Sequence, residues 1–458
     1  MSASLSRGRI IIIGAGPTGL GAAYRLQSLG YENWVIYEKE DRIGGLSASF
    51  KDSKGFTWDI GGHVMFSNID EFNDLADRLL GRDFLSHDRE SWVRTMGRWV
   101  PYPFQNNIRH LPRESVLRCL LGLIAAQRQK RPAANFEEWI FKTFGEGIAE
   151  HFMLPYNFKV WACPPSAMAY GWIAERVSVI SLERILKNVL MDVDDISWGP
   201  NNRFKFPLFG GTGGFFNAFE PFVRRNLHYQ RIPVNINMDE RVITFNDGSA
   251  ERYDALINTA PLDLFVQLLN SQRENTARLR ESAANLVHNG GYIIGIGLKK
   301  MMDGTKCWVY FPEKDIPFYR MTYFSHYSPN NVPGGDTDTY SSLMCEVSFS
   351  PHKPVQERTV LEDTISGLIS TGIIEASDRD RIVSTWQHKI DYSYPIPTTG
   401  RDDALHAIQP VLERNGIFSR GRFGAWRYEI GNMDHSVMMG IEAVNRILFD
   451  TREQLWNR

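Results

Sequence analysis

The sequence predicts an α/β fold, and three observations predict it. An apolar, β-branched run at Ile10–Ile13 passes straight into a glycine-rich turn and a helical segment. Most windows between residues 112 and 190 carry the apolar spacing of helices. Four β-branched and aromatic runs, at 292–296, 308–311, 319–324 and 342–349, read as strands of an antiparallel sheet.

Ile10–Ile13 is wholly apolar, as expected of a strand buried on both faces of a parallel sheet. Gly14-Ala15-Gly16-Pro17-Thr18-Gly19 follows at once. In such a turn the first glycine permits the tight bend, the second lets the backbone approach a pyrophosphate, and the third lets the next helix pack closely on the strand. That helix is expected over 18–29, ending at Gly30, with its N-terminal N–H groups and dipole facing phosphates. A second strand, Trp34–Tyr37, delivers Glu38 nineteen positions after Gly19, where a carboxylate accepts hydrogen bonds from ribose hydroxyls. GxGxxG alone is weak evidence; in the order strand, turn, helix, strand, acid it predicts a Rossmann-like dinucleotide site rather than an incidental turn. Asp41-Arg42-Ile43-Gly44-Gly45 comes next and leaves two readings: a turn that needs glycine for positive φ, or a second glycine pair running close to the cofactor.

Beyond this unit a helix is expected over 71–80, with Phe72, Leu75, Ala76 and Leu79 on one face. Residues 91–108 alternate around Gly97 and read as a hairpin leaving through a proline-rich corner. The helical stretch that follows, punctuated by Gly145 and Pro155, is an inserted domain. Its most apolar part, 116–126, is far short of the roughly 20 residues that span a bilayer and is expected to be a buried helix. Residues 204–214 return to strand and glycine-rich turn, with a helix near 216–225. A hairpin at Asn246-Asp247-Gly248, a short buried strand at 255–260, and a long helix after Asp434 complete the chain. The expected division is a discontinuous nucleotide-binding domain of 1–90, 200–265 and 405–458, a helical domain of 110–195, and an antiparallel sheet domain of 91–109 and 266–404.

The 458 residues exceed one ordinary domain, and 43% apolar content is normal for a globular protein. A formal net charge of −2 gives no polybasic surface for nucleic acid or acidic membranes. Cys119, Cys163, Cys307 and Cys345 are scattered without metal-ligand spacing, which predicts reduced thiols in a cytosol-like compartment and no metal site. The polar N terminus lacks the apolar core of a secretory signal. A cytoplasmic protein without membrane insertion is expected.

Aromatic residues make up 12% of the chain, and any one of them is more often core than site. Two clusters stand out because each holds a lone arginine: Arg176 after Trp172, and Arg320 between Tyr310 and Tyr327. Five blocks then share a resemblance: VPYPFQNNI (100–108), PYNFKVWA (155–162), WGPN (198–201), FPEKDIPFYR (311–320) and GRFGAWRYEIGNMDHS (421–436). In order over nearly the whole chain, they are similar to the eukaryotic-type UDP-galactopyranose mutases. The Gly44-Gly45 pair likewise resembles the extended FAD fingerprint of amine oxidases and sugar mutases.

The resemblance implies FAD and a redox-neutral isomerisation. In that family the N5 of reduced FAD attacks the anomeric carbon of UDP-galactopyranose, UDP departs, and the opened sugar recloses and leaves as UDP-galactofuranose. Arg176 and Arg320 match the two guanidinium groups that clamp the diphosphate. His63, after Gly61-Gly62, matches a histidine beside the flavin with a positional rather than acid–base task. Gly14, Gly16, Gly19, Glu38, Gly44, Gly45, Gly61, Gly62, Arg422 and Asn432 fall on the cofactor side, with Arg89 and Ser91 in the adjoining wall. Tyr327, Tyr394 and Tyr428 match phosphate-bonding tyrosines, and Tyr310 sits in the same aromatic cluster as Arg320. Tyr102, Phe104, Gln105 and Asn157 match a uridine pocket, Phe158 and Trp161 its neighbouring region, and Asn201 a position near sugar and diphosphate. The stretches around Arg176 and Trp198 are expected to close over UDP. NADPH is implied as the hydride source, and a homo-oligomer is left open.

Three places depart from the family pattern: Phe209 where a basic residue is common, Met433 in place of an amide, and Asn68-Ile69 in place of a histidine–aromatic pair. They flank flavin and sugar rather than the diphosphate, so UDP recognition is implied more firmly than galactose. A mutase for another UDP-hexose and an amine oxidase-like oxidoreductase are the alternatives; the oxidase needs an apolar tunnel and no diphosphate clamp.

Overall fold

The computed structural model describes residues 8–128, 131–173, 181–196 and 202–456. Ile10–Ile13 is the middle strand of a five-stranded sheet ordered Ile417–Ser419, Ala255–Asn258, Ile10–Ile13, Trp34–Tyr37, Leu227–His228, with every pair parallel. Its unbroken apolar run is explained by two cores: Ile10 and Ile12 enter one hydrophobic cluster, Ile11 and Ile13 another on the opposite face.

The first helix, Pro17–Ser28, packs on the last, Met433–Phe449, with the two backbones in contact. A Cβ on Gly21 would stand 2.2 Å from the Val437 carbonyl oxygen, and one on Gly440 2.0 Å from that of Thr18. Only glycine at these places lets the helices approach so closely.

A second, seven-stranded sheet runs Ile382–Pro395, His288–Leu298, Ser341–Phe349, Arg320–Tyr323, Trp308–Tyr310, Ser91–Thr95, Arg98–Pro101. It is antiparallel except where Trp308–Tyr310 meets Ser91–Thr95 in parallel. The hairpin at Gly97 thus forms one edge, and a strand absent from the sequence reading, Ile382–Pro395, forms the other. After the hairpin the chain forms helices Arg113–Ala126, Phe136–Ile148, Leu154–Trp161 and Leu182–Leu190, which share a core with Val93 and Val100 of that hairpin. Gly145 kinks the second of these at φ +70°, where a Cβ would fall 2.2 Å from the Gly122 carbonyl carbon. Pro155 is the second residue of the third, which continues without a break from a π-helical turn at Ala149–Met153.

Two expectations are corrected. Arg113–Ala126 is not a buried helix: Val116, Cys119 and Leu123 face the core, but Leu117 and Leu121 are more than half exposed, because its neighbours cover one side only. The run Gly211–Gly214 is helix rather than turn, since the helix Gly211–Asn217 already begins there. Asp59 supplies the acceptor that the glycines lack, taking the Thr212 N–H at 3.1 Å and the Thr212 hydroxyl at 2.6 Å.

Candidate active site

The first glycine turn is built for a backbone to pass close to a ligand. Gly14 has φ +95°, and a Cβ on Gly19 would lie 1.8 Å from the Gly14 carbonyl oxygen. Gly44 and Gly45 also have positive φ, at +103° and +52°, and the Gly44 N–H donates to the Ala15 carbonyl at 2.9 Å. The second glycine pair is therefore a positive-φ turn and is also docked on the first. Glu38 is buried at the end of Trp34–Tyr37, its carboxylate accepting the N–H groups of Ala15 at 2.6 Å and Glu40 at 2.9 Å. A side-chain-free cradle at a helix N terminus with an anchored carboxylate beside it fits the diphosphate and ribose of FAD.

From Asp59 the chain runs through Gly61, at φ +100°, to Gly62 and His63. Full burial raises the Asp59 pKa to about 6, against the bonds it accepts from Ser49 and Thr212. The Gly62 N–H donates to Glu346 at 3.1 Å. Glu346 is buried on the strand Ser341–Phe349 and accepts three further bonds, from the Tyr319 hydroxyl at 2.7 Å and from Arg320 Nε and Nη2 at 2.6 and 2.9 Å. Burial pushes its pKa up, but the Arg320 charge and these donors outweigh it and hold the carboxyl below its ordinary range. His63 has a buried Nδ1 without a hydrogen-bond partner. Burial, followed by the charge on Arg422, lowers its pKa to about 3, so the imidazole is neutral at neutral pH. Gly61, His63, Arg320, Glu346, Tyr394 and Arg422 line one cavity, closed by apolar side chains that include Leu46, Ile60 and Ile293.

One wall of this region is aromatic. Trp161 meets Tyr428 and Tyr394 edge-on at 4.7 and 5.8 Å, and Arg422 lies over the Tyr394 ring at 5.5 Å. Arg401 holds Glu429, next to Tyr428, through two bonds of 2.8 and 3.0 Å. Asn289 ties Tyr394 to the helix end at Trp161, accepting the Tyr394 N–H at 2.8 Å and donating to the Trp161 carbonyl at 3.0 Å. A second aromatic row joins Tyr102 to Tyr310 at 5.0 Å and Tyr310 to Tyr156 at 5.2 Å, with Arg89 over the Tyr102 ring at 5.9 Å.

Other assigned residues are placed differently. Phe104 is fully buried and stacked on Phe152 at 4.7 Å, a core position. Gln105 and Ser91 are buried as well, and Asn432 is an exposed N-cap of the last helix. Asn157 turns its amide back on its own helix, donating to the Met153 carbonyl at 2.7 Å. Tyr327 is packed among Phe204, Phe206 and Phe324. Phe158 is half-buried, Phe209 exposed and Met433 buried. Arg176, Trp198 and Asn201 lie outside the described residues. Glu346, Tyr319, Asn289 and Arg401 are absent from the sequence reading. A signal for the first exists: an acid inside the apolar run SSLMCEVSF needs a buried cation. Among the described residues no group of three His, Cys, Asp or Glu could hold a metal ion, and no helix is long and apolar enough to cross a membrane.

Residues 17–448 match the family model of flavin-containing amine oxidoreductases. Protoporphyrinogen oxidase 2 of Arabidopsis thaliana is 37% identical over 304 residues, which are 57% of this chain and 58% of the relative, so the match spans less than two thirds of that relative's length. Cyclohexylamine oxidase from Brevibacterium oxydans IH-35A shares the fold at 15% identity and a TM-score of 0.70, over 97% of this chain and 99% of the other. The crystal structure of a reduced UDP-galactopyranose mutase superposes with a TM-score of 0.95 at 45% identity, over 98% of this chain and 96% of that one. The chain belongs to the flavin-containing amine oxidoreductase family and, within it, to the UDP-galactopyranose mutases, which are isomerases.

Proposed function

We propose that the protein interconverts UDP-galactopyranose and UDP-galactofuranose without net redox change. The observation that carries the reading is Arg320: a guanidinium braced by buried Glu346 in the same cavity as Gly61, His63 and Arg422. Bound and reduced, FAD supplies a nucleophilic N5 for the anomeric carbon. The chain's own residues do the remainder. Arg320, with Arg422 in the same cavity, offers fixed positive charge where the diphosphate of the leaving UDP gathers negative charge, and Arg176 is the second clamp. His63, kept neutral by burial, gives neither proton nor charge and acts by shape. The ring faces of Tyr102 and Tyr310 provide a stacking surface for uracil, and the Trp161, Tyr394 and Tyr428 group keeps water from the sugar side. NADPH is the proposed reductant.

The 45% identity to a UDP-galactopyranose mutase over almost the full chain supports this substrate. An oxidase of the same family needs an apolar tunnel, and two arginines and a carboxylate in the cavity weigh against one. The test is anaerobic incubation of the dithionite-reduced protein with UDP-galactofuranose beside an oxidised control, following UDP-galactopyranose by chromatography. Conversion in the reduced sample alone is the expected result. Binding of UDP without conversion transfers the reading to another UDP-hexose; failure to bind UDP overturns it in favour of an oxidase.

A further inference from the structure

Arg320 lies opposite Glu346 in the register of two neighbouring antiparallel strands, so their side chains share one face of the sheet. For a residue meant only to attract a diphosphate this is a poor location, because the carboxylate offsets the charge that does the attracting. What Glu346 does supply is geometry. An unrestrained arginine loses rotamer freedom when a ligand immobilises it. Here the Nε and Nη2 edge is already fixed at 2.6 and 2.9 Å, which leaves Nη1 as the guanidinium nitrogen outside that fork.

The same carboxylate reaches the flavin-side turn. Its four accepted bonds, from Gly62, Tyr319 and twice from Arg320, use the roughly four lone-pair directions that a carboxylate has. Glu346 therefore has no acceptor direction to spare for a substrate hydroxyl. Gly62 is laid against the pair: a Cβ there would stand 2.9 Å from Thr322 Oγ1, 3.2 Å from Glu346 Oε1 and 3.4 Å from Arg320 Cζ. The turn that carries His63 and the arginine that faces the diphosphate are thus braced on one anion.

We propose that Glu346 is a positioning residue that acts through Arg320, setting the distance between the diphosphate-binding guanidinium and the Gly61–His63 turn. This rests on the UDP-sugar reading above. Its energetic signature is dependence: removing Glu346 matters only while Arg320 is present to be positioned.

The experiment is a double-mutant cycle on UDP affinity, measured by calorimetry on the FAD-loaded wild type, Arg320→Ala, Glu346→Gln and the double variant. Each single change is expected to weaken UDP by about tenfold, and the double variant to bind no more weakly than Arg320→Ala alone. Turnover at saturating substrate is expected to fall less in Glu346→Gln than UDP affinity does, a split that general loosening of the fold does not produce. Wild-type affinity in Glu346→Gln, or losses that multiply in the double variant, overturn the proposal. Should Glu346→Gln fail to hold FAD, Glu346→Asp keeps the charge but draws the carboxylate back by one methylene; it is expected to lose affinity in an Arg320-dependent way, and unchanged binding overturns the proposal equally. A wild type that binds no UDP overturns the UDP-sugar reading itself.

Discussion

Gly45 stands over Gly16 so closely that a Cβ on Gly45 would lie 3.1 Å from the Gly16 Cα. Two stretches of chain, each without side chains at the point of contact, make a single groove at the N terminus of the first helix. Gly45→Val fills that groove and forces a β-branched residue to φ +52°. Strain of this kind costs about 1–3 kcal/mol, so FAD retention is expected to fall by roughly tenfold or more. The flavin-to-protein absorbance ratio after gel filtration reports it, and an undiminished ratio removes Gly45 from the cofactor site.

Arg320→Ala should keep FAD bound, at a cost in stability because buried Glu346 loses its cation, while turnover drops on the order of 100-fold, the usual loss when a charge-assisted donor to a departing group is deleted. Steady-state rates on the reduced enzyme measure it. Turnover within a few-fold of wild type would reassign the leaving-group role to other residues.

The depressed pKa of His63 sets two expectations about pH. Between its unfolded value near 6.5 and its folded value of about 3, the unfolded chain binds the proton and the folded one does not. Stability contributed by the neutral ring is therefore complete above about pH 6.5 and is lost as the pH falls toward 3. His63→Gln should flatten the acid limb of a denaturant-midpoint profile. Above pH 6.5 the two proteins should show turnover profiles of the same shape, and a wild-type inflection near neutrality that vanishes in the variant would mean that the ring does titrate.

NADPH mixed anaerobically with the oxidised holoenzyme is expected to bleach the flavin band in a stopped-flow record. A band that persists while dithionite still removes it would separate the mutase chemistry from this reductant.

Arg420 is fully buried, bonded to Glu453 at 2.6 and 2.7 Å and to Glu413 at 2.6 Å, with Trp456 stacked on it at 4.2 Å. Arg420→Met leaves Glu453 buried without its cation, and removing one partner of such a pair costs about 3–5 kcal/mol. The neighbouring Arg422 and Tyr428 should loosen with it. Chemical denaturation gives the number, and adding Glu453→Leu to the same chain should recover much of the loss.

What could be read from the sequence was local chemistry. Strand, glycines, helix and Glu38 follow one another within thirty residues, and each demand is made by a near neighbour. The cluster around Glu346 is different in kind. Arg320 and Glu346 are 26 positions apart and Gly62 is 284 from Glu346, so only strand register brings them together. Ile382–Pro395 does carry a strand signal that the reading passes over: Trp386, His388, Ile390 and Tyr392 alternate with Gln387, Lys389 and Asp391, and the first set is half-buried while the second is exposed. Gly211–Gly214 suggests a turn because glycine is a poor helix former, and the compensating Asp59 is 153 positions away.

The contact between the first and last helices also has a temporal meaning. Thr18 and Gly21 need Gly440 and Val437, residues made roughly 400 positions later. At 5–20 residues per second, about 20–80 s separate the two halves of that seam on the ribosome. Through that interval the loop already has Glu38 and Gly44 against it and the helix has Phe219 and Phe222 beside Tyr24, but the face that carries Thr18 and Gly21 has no partner. The seam between the first and last helices is thereby completed only at the end of synthesis, and a chain cut short before the last helix emerges leaves that face of the first helix uncovered.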